Sequence, residues 1–501
     1  MDKIYILAPE KIGIINPDIY GQFVEHIGGV VYDGIWVGED SKIPNIHGFR
    51  SYIVDMLRRI HVPVVRWPGG CFAESYDWRD GIGDPKNRPV RRNWWIRWDG
   101  KYETNRVGTH EFMDFCRLIG AKPYFAANLN SCDILTTRGW LDYCNSPQGT
   151  TDMARLREAN GAPEPFHVKI WGLGNETWGS GGNMSPEAYA EAYRRLAVVF
   201  ENTDADLDLI ACGPDSYDFA WTHGFLKNIA ESYKHISGFS LHHYCYSQAD
   251  ALAFPEDDWY NLLADAAELD PLLKRHWAII DAYRMEDKAK LVVDEWGSWN
   301  REAPISGPGG AEHLFEQEVT MRDAMVAAVT LNILNNHCDK VRMANAAQLV
   351  NCIQSLFLAK GKECVATANY HVFDMYQSHM NGTALRTACD CGEVEFRGKN
   401  QAPRRLAKVF SSASIKDGVL TVTACNTQVD EEAVFRLEPC GIKLWGKPEF
   451  VVLKGSTLSA HNTFEEPQNV IPRNMSALAD NVFILPPGSV GRIKIKTDVK
   501  N

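Results

Sequence analysis

No apolar run of about 18 residues occurs anywhere in this sequence, so nothing in it reads as a transmembrane helix. The opening residues MDKIYILAPEKIGIINPDIYG also lack the basic stretch, apolar core and small-residue cleavage site of a secretion signal, so a cytoplasmic protein is expected. A basic excess is missing too: 52 Lys and Arg stand against 64 Asp and Glu, a net charge of -12. With its cations scattered, the chain offers no electrostatic footprint for nucleic acid or anionic lipid, and a neutral ligand is favoured. The 13 cysteines have no paired zinc-ligand spacing and their number is odd, which points to reduced, mostly buried thiols. Cys389-Asp390-Cys391 reads as a loop or hairpin rather than a metal site. Low-complexity blocks and internal repeats are absent as well.

What is present is a chain of 501 residues, 45% hydrophobic and 11% aromatic, long enough for a large domain and a smaller one. From about residue 17 to 375, short β-branched runs alternate with helical stretches, the pattern of parallel strands joined by crossover helices. Eight strands are expected, at 19–24, 62–67, 122–128, 168–173, 208–212, 238–242, 291–294 and 341–346. Apolar residues at three- and four-residue spacing predict helices at 48–59, 109–118, 185–202, 221–232, 262–283 and 312–336. Ser185-Pro186 is a clear helix start, a capping hydroxyl followed by proline in the first turn. The expected fold class is α/β, a (β/α)8 TIM barrel over 17–375. After about residue 376 the texture changes to short alternating strands, among them 418–424, 433–438, 449–453 and 492–496. These predict a smaller all-β sandwich over 376–501, which the strands at 3–7 and 11–15, within 1–16, would join.

A barrel of this kind carries its chemistry at the C-terminal ends of its strands. Two apolar strands end in a carboxylate. One is Val168-Lys169-Ile170-Trp171-Gly172-Leu173-Gly174-Asn175-Glu176 and the other Leu291-Val292-Val293-Asp294-Glu295-Trp296. A single strand-end glutamate more often caps a helix or pairs with a cation. Two of them, on strands four and seven and each beside tryptophan, form the pair that retaining glycoside hydrolysis needs: Glu176 as acid/base, starting protonated, and Glu295 as nucleophile, starting ionised. Trp94, Trp95, Trp98, Trp171, Trp178, Trp296 and Trp299 fall in or near the strand-end loops, where rings can pack on the C–H faces of sugars, although mid-strand Trp171 reads as core. Glu25, Asn128, Asn130, His242, His243, Tyr244 and Gln348 supply the mixed donors and acceptors that a polyol requires.

These motifs, in order, resemble glycoside hydrolase family 51, mostly α-L-arabinofuranosidases. The likeness runs over nearly the whole chain through Gly21-Gln22-Phe23-Val24-Glu25-His26, Val65-Arg66-Trp67-Pro68-Gly69-Gly70, Asn105-Arg106-Val107-Gly108-Thr109-His110-Glu111-Phe112, Gly172-Leu173-Gly174-Asn175-Glu176, Ser240-Leu241-His242-His243-Tyr244, Asp294-Glu295-Trp296 and Ala344-Asn345-Ala346-Ala347-Gln348-Leu349-Val350-Asn351. The resemblance implies a retaining double displacement, no metal or other cofactor, and a homo-oligomer, commonly a hexamer. It also implies that Glu25, Asn175, Tyr244 and Gln348 hold the arabinofuranosyl unit of an arabinose-containing oligosaccharide, and that Trp299 lines its pocket. One position departs from the pattern: many members carry Asn after Pro-Gly-Gly, whereas here the residue is Cys71, and a thiol cannot make the amide's paired hydrogen bonds, which leaves a weak polar contact, room for a different substituent, or neighbouring Phe72 and Glu74 in its place.

Two other readings stand beside this one. The same scaffold serves β-xylosidases and endo-β-1,4-glucanases. A non-catalytic carbohydrate-binding protein could also keep the barrel, and in that case Glu176 and Glu295 would lie buried far apart.

Overall fold

All eight expected barrel strands form, and each pairs in parallel with its neighbours until the sheet closes on itself. The computed structural model describes residues 2–204, 206–230, 235–301 and 313–499. In chain order the strands are Gly21–Phe23, Val64–Trp67, Lys122–Ala127, Ile170–Leu173, Asp208–Ala211, Gly238–Tyr246, Lys290–Trp299 and Val341–Ala346. Near-continuous apolar runs suit strands buried on both faces. Inside the barrel, Val64, Tyr124, Ile170, Ile210, Val292 and Met343 form a plug contributed by six strands. The interior is therefore a packed floor, and function is confined to the rim.

Two strands run further than the sequence suggests. The sixth continues past His242 to Tyr246 and the seventh past Asp294 to Trp299, with register shifts at Leu241/His242 and between Val293 and Trp296. Such irregularities re-aim side chains within a ladder, so polar residues assigned to loops belong to strands here. Helix 262–283 is two helices, Glu256–Ala267 and Leu269–Ala282. The helix between strands seven and eight is Met321–Asn336, capped by Thr320 and Asp323; the start expected at residue 312 lies outside the described residues, as do the final residues of 221–232. Ser185 caps Pro186–Thr203 as expected.

The second unit is a nine-stranded sheet built from Asp2–Ile14 and from strands between Thr383 and Thr497. The N-terminal pair of strands is one strand, irregular between Leu7 and Lys11, set antiparallel to Thr383–Asp390 and parallel to Ala433–Cys440. The sheet curls over its own apolar core: Phe450, near one edge, meets Phe483, in the strand at the other edge, at 5.2 Å between rings. Met321–Asn336 is buried on nearly all sides because it lies between the barrel and this sheet, where Asn332 and Asn335 reach Ser412. No helix among the described residues is long and apolar enough to cross a membrane.

Candidate active site

Strand four delivers Glu176 through a tight turn. Gly174 has φ +91°, where a side chain would also press on Thr177 at 2.9 Å, and Glu176 itself sits in the left-handed region at φ 43°. Strand seven delivers Glu295 from within its ladder. One oxygen of each carboxylate and a ring nitrogen of His242 all lie within 4.8 Å of one another. That places the carboxyls at the separation of about 5 Å used in retaining hydrolysis.

The two carboxylates are held differently. Arg66, 1% exposed, donates Nη1 to Glu295 Oε1 at 2.7 Å and Nη2 to Asn175 Oδ1 at 2.7 Å. The Tyr244 hydroxyl donates to Glu295 Oε2 at 2.7 Å. Burial alone would push the Glu295 carboxyl up, but His242, Arg66 and the Tyr244 hydrogen bond outweigh it and hold it below the usual carboxylate value. Around Glu176 the partners are weaker: His242 Nδ1 at 3.0 Å, the Ser180 hydroxyl at 3.3 Å and the Cys71 thiol at 3.7 Å. Burial lowers the His242 pKa, yet Glu295 and Glu176 together raise it further than burial takes away.

Glu25, at the end of strand one, and Gln348, after strand eight, bond reciprocally: Glu25 N–H donates to Gln348 Oε1 at 2.9 Å and Gln348 Nε2 donates to Glu25 Oε2 at 3.1 Å. Glu25 also accepts from Phe72 N–H and, at 3.2 Å, from the Trp95 indole. Burial, with Glu295 adding repulsion, pushes its carboxyl up to about 7. Gly70 forms part of the floor, where a Cβ would stand 2.7 Å from Glu295 Oε1, so the residue before Cys71 must be glycine. Trp299 packs on Tyr244 at 5.6 Å and on Phe315 at 4.7 Å.

Glu25, Cys71, Asn175, Glu176, His242, Tyr244, Glu295, Trp299 and Gln348 thus converge on one rim. Other residues singled out in the sequence do not. His243 points to the opposite face of its strand, with Nε2 at 2.9 Å from the Asp265 carbonyl. Asn128 spends its side chain on the 130–132 turn and the Tyr76 carbonyl. Trp171 is core, as expected, and so is Trp296, stacked on Phe373. Conversely, sequence reading did not assign three residues to the site. Arg66 had a signal, a cation inside the apolar strand Val64–Trp67. Glu74 was open only as a neighbour able to stand in for the Asn that Cys71 replaces, and Ser180 had no signal. Glu74 is fully buried and accepts N–H groups from Asn175 at 2.6 Å, Asn130 at 2.8 Å and Leu129 at 3.0 Å, which ties the turn before Glu176 to the loop after strand three.

Glu176, His242 and Glu295 are chemically able to ligate a metal. A dication among them would face the Arg66 guanidinium bound to Glu295, so the set fits a hydrogen-bonded acid pair better than a metal site.

Residues 56–261 match the family model described as the α-L-arabinofuranosidase 1 domain, and residues 294–489 that of the α-L-arabinofuranosidase C-terminal domain. The chain is 38% identical, over 99% of its length and 94% of the relative's, to an intracellular exo-α-L-arabinofuranosidase of Bacteroides ovatus. An intracellular exo-α-(1→5)-L-arabinofuranosidase 1 of Bacillus subtilis strain 168 is 28% identical over 96% of this chain and 95% of its own. Among solved structures, the GH51 arabinofuranosidase of Xanthomonas axonopodis pv. citri superimposes with a TM-score of 0.91 at 34% identity, covering 99% of this chain and 100% of that one.

Proposed function

The chain belongs to glycoside hydrolase family 51, and we propose that it is a retaining, exo-acting α-L-arabinofuranosidase that removes terminal arabinofuranosyl residues from arabinose-containing oligosaccharides. The observation that carries the mechanism is the approach of the Glu176 and Glu295 oxygens to within 4.8 Å at the ends of strands four and seven. In the first step Glu295, ionised and aligned by Arg66 and Tyr244, attacks the anomeric carbon while protonated Glu176 gives its proton to the departing oxygen. In the second, Glu176 takes a proton from water, which attacks the same carbon and releases Glu295. Two inversions leave the configuration retained.

Asn175 is placed to bind the sugar. Arg66 fixes its Oδ1, and its Nδ2 is buried without a hydrogen-bond partner among the described residues, a donor ready for a hydroxyl. Glu25 and Gln348 form the opposite wall. Cytoplasmic action on short oligosaccharides, assembly as a homo-oligomer such as a hexamer, and the division into a barrel of 17–375 and a sandwich of 1–16 with 376–501 belong to the same proposal. The relatives named intracellular support the first, and sedimentation velocity tests the second.

The test is hydrolysis of aryl α-L-arabinofuranoside, β-D-xylopyranoside and β-D-glucopyranoside by the purified enzyme, with the product anomer read by NMR. Release of arabinose in the α configuration, with the other two glycosides far slower, is expected. Preference for the xyloside or glucoside would move the sugar assignment to a xylosidase or glucanase, and inaction on all three would reopen the binding-protein reading.

A further inference from the structure

Strand six carries more than the family's site residues. A strand's two-residue period turns His242, Tyr244 and Tyr246 to the same face. His242 is buried against Glu176, Tyr244 is half-buried against Glu295, and Tyr246 is 54% exposed. The row therefore climbs from the reacting carboxylates to the mouth of the site. In the ladder Tyr246 is paired with Trp299, and the two rings lie 5.8 Å apart at only 32° to one another, with Tyr244 beside both.

This pair is fixed in place. Ser247 N–H donates to the Trp299 carbonyl at 2.8 Å, Lys399 Nζ donates to the Tyr246 carbonyl at 2.6 Å, and Phe315 backs the Trp299 ring edge-on. Lys399 comes from the loop joining Glu393–Arg397 to Pro403–Ala407, so this separate two-stranded hairpin buttresses the rim of the barrel. Burial pushes the Tyr246 hydroxyl up to about 12, and the next contributors are Glu176, Asp215 and Glu295, in keeping with a ring within electrostatic reach of both reacting carboxylates.

We propose that Tyr246, together with Trp299, forms an aromatic platform for the leaving sugar, the ring to which the arabinofuranosyl unit is attached. This rests on the hydrolase reading above. The acid must reach the glycosidic oxygen, so the departing sugar lies on the Glu176 side and toward the open mouth, where this row emerges. A neutral furanose or pyranose offers an apolar C–H face to such rings, and a platform set on strand ends is preorganised as a loop would not be. Tyr246 is then a specificity residue for the leaving group rather than for the sugar that is transferred.

The experiment compares an α-1,5-linked arabinofuranosyl disaccharide with α-L-arabinofuranosyl fluoride, whose leaving group is too small to touch the platform, in wild type, Y246A and Y246F. In Y246A the ratio of kcat/KM for disaccharide to that for fluoride should fall roughly tenfold, mainly through KM for the disaccharide. In Y246F the retained ring should restore the ratio to near the wild-type value. A ratio unchanged in Y246A, or a loss that Y246F does not rescue, would overturn the platform. If the wild type cleaves neither substrate, the hydrolase reading itself fails and the platform with it.

Discussion

The two halves of the site differ in how firmly they grip a carboxylate. Glu295, its side chain 9% exposed, takes charge-assisted and hydroxyl hydrogen bonds on both oxygens from Arg66 and Tyr244. Glu176, 21% exposed, has no arginine partner among the described residues, and its second oxygen faces a serine hydroxyl and a thiol at the edge of bonding distance. The contrast suits the roles proposed for the two. A nucleophile must be an anion before it reacts, and donors to both oxygens keep it so. An acid/base must carry a proton in one step and lose it in the next, so a strong cationic partner would trap it in one state. His242, close to both, couples the halves.

Removing the gripped carboxylate should do most damage. Glu295→Ala is expected to lower kcat by about four orders of magnitude or more for every substrate. Added azide should then give the inverted β-L-arabinofuranosyl azide, identified by NMR. Glu176→Ala should cost about 10²- to 10⁴-fold on a disaccharide, and much less on an aryl glycoside whose leaving group needs little protonation. Azide should restore its turnover and give the retained α-azide; rescue with the opposite anomers in the two variants would exchange the roles.

Arg66→Met probes the contrast itself. It removes two charge-assisted bonds and should lower kcat/KM by about 10²-fold. Because Arg66 helps to hold the Glu295 carboxyl down, its loss raises that carboxyl, and the acidic limb of the pH–rate profile should move to higher pH. A limb that stays put would mean Arg66 only orients Asn175.

Glu74 offers a smaller effect of a different kind. Burial pushes its carboxyl up to about 7 against three backbone donors, whereas the unfolded carboxyl titrates near 4.5. The folded state thus binds the extra proton, and the stability this contributes is complete below about 4.5 and lost as pH rises through about 7. Glu74→Gln should therefore narrow the gap in Tm between pH 5 and pH 8, measured by calorimetry, without closing it, because Glu25 titrates in the same window. The smallest change is expected at the loosely held carboxylate. Cys71→Ser should stay within about threefold of wild type in kcat/KM, since a neutral hydrogen bond is worth only about 1 kcal/mol and the thiol lies 3.7 Å from Glu176.

Much of this was legible from residues in order. The eight strands declared themselves because buried parallel strands need unbroken β-branched and apolar runs. Glu176 and Glu295 stood out because charge at the end of such a run has no packing reason to be there. The curled sheet was visible in its alternating segments, although the union of 3–7 with 11–15 into one irregular strand was not, since a bulge leaves no compositional mark. Arg66 was half legible, an arginine where apolar side chains prevail, but its two partners lie 229 and 109 residues further along the chain.

The sequence by itself determined the barrel, its companion sheet and which two strand-end carboxylates stand out, because strand periodicity and strand-end polarity are local properties written in consecutive residues. Only the tertiary structure decided which residues grip those carboxylates. His242 and His243 are neighbours with the same chemistry, yet one meets Glu176 and the other a backbone carbonyl on the far face. Glu74 looks like any loop glutamate until the fold buries it among three amide groups. The physical reason is that hydrogen bonds and electrostatic shifts act over a few ångströms, and only closing the barrel brings such distant positions within that range.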